Sequence, residues 1–150
     1  ILESVLRETE QPVMQTYLPD DDAEYTCGVV FIDQAVDTVG VLRRRLRDGN
    51  TSIAFSEEHA EIEEFCANLV ARLRPFGPLN LQLRVAGGVP YVFEINPRFS
   101  GTTVFRAHLV VNEPLRILRH LLGLPVAAGA HLRPGRVMRY FEEIVHLDDA

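Results

Sequence analysis

The chain has 150 residues, of which 47% are hydrophobic and 24% are charged, and its formal net charge is −6. This composition fits one globular domain with a core of its own. No apolar run approaches the roughly 20 residues that span a bilayer, and a nucleic-acid-binding domain would normally carry a basic stripe. We therefore expect neither a membrane nor a nucleic acid as a partner.

The hydrophobic pattern predicts strands separated by turns, with two or three helices among them. Ser56 suits a helix N-cap, because its hydroxyl can accept a hydrogen bond from a free backbone N–H. Pro114 near the first turn and Gly123 at the stop frame a later helix. In chain order we predict a helix over 1–9, strands over 13–18, 24–33, 35–47 and 51–55, a helix over 56–73, strands over 79–85 and 90–96, a helix over 113–122 and a strand over 136–145. The sequence therefore predicts an α+β domain, a mostly antiparallel sheet with helices packed on it.

The basic and sulfur-bearing residues narrow the chemistry. All fifteen basic residues are arginine, which excludes Schiff-base chemistry, a lysine general base and a phosphate-binding lysine within this polypeptide.

Cys27 and Cys66 lie far apart in apolar surroundings, and one disulfide would be a thin framework for a secreted domain. We therefore expect two reduced core thiols in a cytoplasmic protein. The start at Ile1, directly in a helical pattern, predicts a piece of a longer chain.

The strands predicted over 79–85 and 90–96 separate polar from apolar side chains. Because side chains alternate along a strand, each strand has one polar and one apolar face. If the two strands form a hairpin, their apolar faces must coincide. The polar face then carries Asn80, Gln82, Arg84, Glu94 and Asn96.

The length of the loop between these strands decides which residues pair. A two-residue loop of Gly87 and Gly88 would pair Gln82 with Phe93 and mix the two faces. A three-residue loop, extended to Val89, keeps both faces uniform, and it is a common hairpin class. The sequence therefore predicts the three-residue loop, with Gln82 opposite Glu94 and Asn80 opposite Asn96.

The polar face of this hairpin offers oxygen ligands. Carboxylate and amide oxygens suit Mg²⁺ or Mn²⁺, which take few protein ligands and leave room for phosphate oxygens. Arg98 follows as a planar fork for a phosphoryl or carboxylate group, and the hydroxyl-rich turn over 99–103 adds donors. The alternative is a half-exposed hairpin whose polar face meets water, with Glu94 and Arg98 as a surface ion pair. Spacing alone leaves both interpretations open.

A family resemblance rests on two strings, NLQ at 80–82 and EINPRFSG at 94–101. They resemble the ATP-grasp superfamily, most closely the branch of the carbamoyl phosphate synthetase large chain, with biotin carboxylase more distant. The wider resemblance spans residues 13–104. It implies two α+β lobes that hold ATP between them, of which residues 1–150 resemble only the C-terminal, metal-bearing lobe. The phosphate lysine and glycine-rich loop of the family would belong to an N-terminal lobe upstream of Ile1, so we expect the isolated chain to be inactive.

The resemblance also implies roles for individual residues. It makes Gln82, Glu94 and Asn96 the ligands of the catalytic Mg²⁺ or Mn²⁺. It places Arg98 against the transferred phosphoryl group or the carboxylate substrate. It assigns nucleotide contacts to Gln15, Tyr17 and Leu18 for adenine, to Glu24 for the ribose hydroxyls, and to Asn80 and Ser100.

The family reaction transfers a phosphoryl group from ATP to a carboxylate, and a nucleophile, often an amine, then displaces phosphate from the acylphosphate. We therefore predict the ATP- and metal-binding lobe of such a ligase, with ATP and a small carboxylate as partners. A catalytically retired module that serves as a binding or interaction domain is the alternative, and a plain α+β domain with a polar hairpin is the third. The complete metal set together with Arg98 favours the first. The acid, the nucleophile and the oligomeric state are not specified by this sequence.

A run of arginines, Arg43-Arg44-Arg45, stands on the third predicted strand. Alternation places Arg43, Arg45 and Arg47 on one face and Arg44 on the other. Two interpretations stay open for this run. It lies beside an acidic substrate or the phosphates, or it marks a solvated edge strand that resists pairing.

Overall fold

The computed structural model describes residues 14–18, 24–126, 132–140, 142 and 145. Within these residues, six strands form one sheet in the order β5-β4-β1-β2-β3-β6, and each neighbouring pair is antiparallel. The strands are β1 (Glu24–Ile32), β2 (Ala35–Arg47), β3 (Asn50–Ser56), β4 (Gly77–Ala86), β5 (Val89–Asn96) and β6 (Gly135–Met138). The helices of the same residues are α1 (Ala60–Leu73), α2 (Thr103–Leu109) and α3 (Glu113–Leu121). The predicted α+β class with a mostly antiparallel sheet is confirmed.

The core lies between the sheet and α1. β1 is buried along its whole length, because it lies inside the sheet between β2 and β4. The odd-numbered residues of β1 face α1, which buries Ile62, Cys66 and Val70 on successive turns of one side. Cys27 and Cys66 are both unbridged and fully buried in this core, as predicted. No helix in the described ranges is long and apolar enough to cross a membrane.

Among the described residues, the opposite face of the sheet is covered over one half only. α2 and the segment after it pack there against β2 and β3 and bury Leu42, Ala54 and Phe105. The other half carries polar side chains of β1, β2, β4 and β5 and is open. This division leaves a polar surface beside a packed one on the same face of the sheet.

The loop of the β4–β5 hairpin differs from the prediction. Ala86 pairs with Val89, so Gly87 and Gly88 alone form the loop, and the predicted three-residue loop is wrong. The two glycines have φ values of 57° and 78°. A two-residue type I′ turn requires positive φ at both central positions, which glycine adopts without steric cost.

A β-bulge at Phe93 restores the polar pairing that a two-residue loop alone would lose. Leu83 pairs with Val92 and Gln82 pairs with Glu94, so Phe93 is an extra residue on β5. The predicted pairs, Gln82 with Glu94 and Asn80 with Asn96, are therefore confirmed. The bulge also brings Val92 to the core that packs against α1.

The start of α1 differs from the prediction as well. Ser56 is the last residue of β3 and pairs with Gly135 of β6. Its hydroxyl donates to the backbone carbonyl of Arg133 at 2.9 Å, so it cannot serve as the N-cap. α1 therefore begins at Ala60. The pairing with β6 joins residues far apart in the chain, which local sequence signals do not report.

Other predicted boundaries have mixed outcomes. α3 begins at Glu113 as predicted, with Pro114 in its first turn. α2 was not predicted, residues 14–18 are not a strand, and β6 ends at Met138 although the prediction extended to 145. The helix predicted over 1–9 lies outside the described residues.

Candidate functional site

An open pocket of about 670 Å³ lies on the uncovered half of the sheet. Side chains of β1, β2, β4 and β5 form its floor, and residues 15–18 form one wall. Six predicted site residues line it: Gln15, Tyr17, Leu18, Glu24, Gln82 and Glu94. Residues far apart in sequence, assigned above to a base, a ribose and a metal, thus share one cavity.

Glu24 is buried in the floor of this pocket and is held by two arginines. Arg44 donates from Nε and Nη2 to Glu24 Oε1 at 2.9 and 2.6 Å. Arg84 donates from Nε and Nη2 to Glu24 Oε2 at 3.1 and 2.8 Å. Burial alone raises the pKa of Glu24, but hydrogen bonds from Arg84 and Arg44 and their positive charges outweigh it, and the pKa lies below its usual value. The carboxylate is therefore ionised at neutral pH, and each of its oxygens accepts two N–H donors.

Arg44 and Arg84 also donate hydrogen bonds to residues other than Glu24. Arg44 also donates from Nη2 to Gln82 Oε1 at 2.5 Å, which joins β2 to β4 across the end of β1. Arg84 donates from Nη1 to the carbonyl oxygen of Leu18 at 2.8 Å. The wall formed by residues 15–18 is thereby fastened to the sheet.

The arginine run of β2 is divided between the two faces of the sheet, as alternation predicts. Arg43 forms an ion pair with Glu57 at 2.7 Å, and its guanidinium lies 4.5 Å from the ring centroid of Phe55. Arg45 lies over the same ring at 5.8 Å. Arg44 alone of these three faces the pocket. The sequence left the role of Arg44 open and assigned no site role to Arg84, although the alternation that placed Gln82 there also places Arg84.

The predicted metal ligands lie along the polar face of the β4–β5 hairpin. Asn96 Nδ2 donates to Glu94 Oε1 at 2.8 Å, and Arg98 Nη2 donates to Asn96 Oδ1 at 3.4 Å. Gln82 faces Glu94 from the neighbouring strand. Among the described residues, no three His, Cys, Asp or Glu side chains come close enough to hold a metal. One carboxylate and two amide oxygens form a hard donor set, which fits Mg²⁺ or Mn²⁺ completed by water or phosphate.

Two further predicted residues, Asn80 and Ser100, belong to a hydrogen-bond network behind the pocket. Asn80 is 1% exposed, and its Oδ1 accepts from Thr26 Oγ1 at 2.9 Å. The hydroxyls of Thr26 and Thr102 share a hydrogen bond of 3.2 Å, and those of Ser100 and Thr102 share one of 2.8 Å. This network joins β1 and β4 to the turn that follows β5.

Arg106 anchors that turn from inside the protein. It is fully buried, donates to Thr102 Oγ1 at 2.8 Å and forms an ion pair with Glu113 of α3. Its remaining N–H groups reach other hydroxyls of the same turn. Gly28 of β1 leaves the necessary space, because a β-carbon there would overlap with both Arg106 and Glu113. Sequence reasoning missed this anchor, although an isolated glycine inside a strand indicates a close approach of another group.

Comparison with family models gives one match, over residues 8–144, to the family described as "ATP-grasp in the biosynthetic pathway with Ter operon". The chain belongs to this ATP-grasp family. The resemblance carried by the NLQ and EINPRFSG strings is thereby confirmed for the ATP-grasp superfamily. No curated protein matches the sequence.

Solved structures share the fold of this ATP-grasp chain. The phosphoribosylaminoimidazole carboxylase ATPase subunit of Aquifex aeolicus is 17% identical with a TM-score of 0.58, over 71% of this chain and 36% of its own. N5-carboxyaminoimidazole synthetase of Staphylococcus aureus, complexed with ADP, is 14% identical with a TM-score of 0.61, over 77% and 34%. N5-carboxyaminoimidazole synthase of Aspergillus clavatus, in complex with ADP and 5-aminoimidazole ribonucleotide, is 16% identical with a TM-score of 0.60, over 71% and 31%. The ATP-grasp chain therefore spans about a third of the length of these proteins.

Proposed function

We propose that this ATP-grasp chain is the ATP- and metal-binding lobe of an ATP-dependent ligase. The ligase activates a carboxylate as an acylphosphate, which an amine or similar nucleophile then attacks. The observation that carries the proposal is the pairing of Gln82 with Glu94 across the β4–β5 hairpin, beside a pocket of about 670 Å³. That volume lies within the usual range of small-ligand sites. The closer likeness to the carbamoyl phosphate synthetase large chain stays a prediction.

The nucleotide takes the pocket in this proposal. Gln15, Tyr17 and Leu18 contact the adenine, for which the wall over residues 15–18 offers an aromatic ring and a half-buried aliphatic side chain. The ribose hydroxyls meet Glu24 together with the two arginines that hold it. The Staphylococcus aureus and Aspergillus clavatus proteins with this fold are described as ADP complexes, which supports a nucleotide as the occupant.

The hairpin supplies the metal site and the substrate contact. Gln82, Glu94 and Asn96 hold Mg²⁺ or Mn²⁺, and the bound ion neutralises phosphate charge during phosphoryl transfer. Arg98, whose Nη1 also donates to the carbonyl oxygen of Phe99 at 3.0 Å, orients the carboxylate or phosphoryl group through its planar fork. Asn80 and Ser100 act from behind the pocket by holding Thr26 and Thr102 in place.

Activity requires a second lobe in this proposal. The chain contains no lysine, so the lysine that binds the phosphates in the ATP-grasp family must come from another part of the protein. The chain also spans only about a third of the solved proteins that share its fold. We therefore expect residues 1–150 alone to be inactive and to need the lobe that carries the lysine and the glycine-rich loop.

A catalytically retired module is the second candidate function. The observation in its favour is that other side chains of the protein already donate hydrogen bonds to oxygens that the proposal assigns to the metal and the ribose. Gln82 Oε1 accepts from Arg44, Glu94 Oε1 accepts from Asn96, and both oxygens of Glu24 accept from arginines. A module of this kind would keep the polar network for stability and bind no metal.

Titration calorimetry separates the two candidates. Mn²⁺ and a non-hydrolysable ATP analogue are titrated into the longest natural chain that contains these residues. We expect binding that Glu94→Gln weakens by about tenfold or more, because the site loses its one carboxylate ligand. Glu64→Gln, at an exposed position of α1, is the matched control and should bind like the parent. A parent chain that binds neither Mn²⁺ nor the analogue would establish the retired module.

A further inference from the structure

Arg44 donates a hydrogen bond to the oxygen through which Gln82 would bind a metal. Arg44 Nη2 donates to Gln82 Oε1 at 2.5 Å and to Glu24 Oε1 at 2.6 Å. The side chain of Arg44 is 9% exposed and that of Glu24 is 8% exposed, so the contact is largely shielded from water. The amide of Gln82 has one oxygen, and that oxygen is its only metal-ligating atom.

The charge of Arg44 cannot be removed within the physiological pH range, because a guanidinium does not deprotonate in proteins. A divalent ion on Gln82 Oε1 would lie within a few ångströms of this fixed positive charge. Like charges at such a distance repel strongly where water is largely excluded. In the arrangement that the structure shows, Arg44 therefore competes with a metal ion for Gln82.

The charges around Arg44 determine which kind of ligand can draw it away from Gln82. Glu24 contributes one negative charge, and Arg44 and Arg84 contribute two positive charges, so the cluster carries a net charge of +1. Arg84 donates to Glu24 and to the backbone carbonyl of Leu18, and the contact of Arg44 beyond Glu24 is also with an uncharged amide oxygen, that of Gln82. An anionic group that enters the pocket can therefore draw Arg44 away from Gln82 at the loss of one hydrogen bond to an uncharged acceptor.

We propose that Arg44 is a specificity-determining residue that makes metal binding depend on the nucleotide. Without a nucleotide, Arg44 donates to Gln82 Oε1, and its positive charge weakens the binding of a divalent ion alone. When a nucleotide enters, its phosphate takes the guanidinium, and Gln82 becomes available to the ion that accompanies the phosphate. This inference rests on the proposed function, and it adds that the site accepts a metal–nucleotide complex in preference to the free ion.

The test measures Mn²⁺ binding by the natural long chain with and without a non-hydrolysable ATP analogue. The readout is the electron paramagnetic resonance signal of free Mn²⁺, corrected for the Mn²⁺ that the analogue binds in the absence of protein. The parent chain should bind bare Mn²⁺ at least about tenfold more weakly than Mn²⁺ with the analogue. Arg44→Met should bind bare Mn²⁺ about tenfold more tightly than the parent, because the competing charge is gone, and should lose most of the dependence on the analogue. Arg44→Lys, which keeps the charge, should stay closer to the parent.

Controls make each outcome decisive. Arg45→Met removes an arginine from the other face of the same strand, where it lies over Phe55, and should leave both affinities unchanged. Arg44→Gln serves as a second neutral variant should Arg44→Met fail to fold.

Unchanged or weaker binding of bare Mn²⁺ by the neutral variants would overturn the inference, since it would reduce Arg44 to a support for Gln82. If Glu94→Gln still abolishes metal binding in that case, the proposed function survives alone. A parent chain that binds no Mn²⁺ under either condition overturns both.

Discussion

Gly28 lies directly beneath the buried guanidinium of Arg106, in the middle of β1. A β-carbon at Gly28 would overlap with the side chains of both Arg106 and Glu113. The glycine therefore lets a charged pair pack against the sheet beside the turn that follows β5. In this way a residue with no side chain helps to position the candidate site.

Gly28→Ala should destabilise the protein by about 1–3 kcal/mol or more, because the surrounding buried side chains have little room to move. The thermal unfolding midpoint of the variant measures the loss. Gly101→Ala is the matched control, since a β-carbon there would meet only Arg139 Nη1 at 3.8 Å, an ordinary contact. Equal midpoints for the two variants would show that Arg106 does not fill the space above Gly28.

Arg106→Met should cost about 3–5 kcal/mol, because it leaves the carboxylate of Glu113 buried without its positively charged partner. Urea unfolding of the single variant measures this loss. The double variant Arg106→Met with Glu113→Leu removes both charges and should recover a large part of the stability. Losses that simply add in the double variant would show that the two side chains do not interact.

Gly87→Asn should leave the stability unchanged or raise it by up to about 1 kcal/mol, because asparagine tolerates positive φ and restricts the unfolded chain. Gly87→Val should lower the stability, since a β-branched residue is strained at a φ of 57°. Thermal unfolding of both variants tests the two-residue turn. A gain in stability with valine would contradict the type I′ assignment.

The ion-paired Glu24 should make stability depend on pH in the acid range. Its folded pKa is lowered, because hydrogen bonds from Arg84 and Arg44 outweigh the effect of burial. The stability that it contributes is therefore complete above its unfolded pKa of about 4.3 and is lost as pH falls through the lower folded pKa. Glu24→Gln should be less stable than the parent at pH 7, and the difference should shrink as the pH falls below about 4.

Urea midpoints between pH 7 and pH 3 measure this difference. Glu64→Gln, which changes an exposed glutamate of α1, controls for the loss of a carboxylate as such. A gap between Glu24→Gln and the parent that stays constant down to pH 3 would show that Glu24 is not held ionised by its two arginines.

Much of the fold and of the site was predictable from local patterns. The range 24–47, with its two strands, and the pairing of Gln82 with Glu94 followed from alternation and from the need to keep the apolar faces together. The pairing was right although the loop was wrong, because the bulge at Phe93 supplies the shift that a third loop residue would have supplied. Alternation constrains which side chains face each other, whereas it does not say where the extra residue lies.

The features that escaped prediction depend on contacts between distant parts of the chain. Ser56 carries a good N-cap side chain, yet its hydroxyl bonds to Arg133, 77 residues later. Arg106 looks like any surface arginine of a short helix until Gly28 and Glu113 are placed around it. Arg44 could be assigned to a face, but its bond to Gln82 needs the register between β1, β2 and β4.

The position of β5 at the edge of the sheet has a consequence for the exchange of backbone amide hydrogens. In the part of the chain that the structure describes, β5 is held by β4 on one side only, so its amides can open to solvent while the central strands stay closed. Glu94 and Asn96 lie on this outer strand, whereas Gln82 lies on the better protected neighbour. An ion bound to both strands would hold β5 against β4. Binding of the ion would therefore slow deuterium uptake along β5 and change it little along β1.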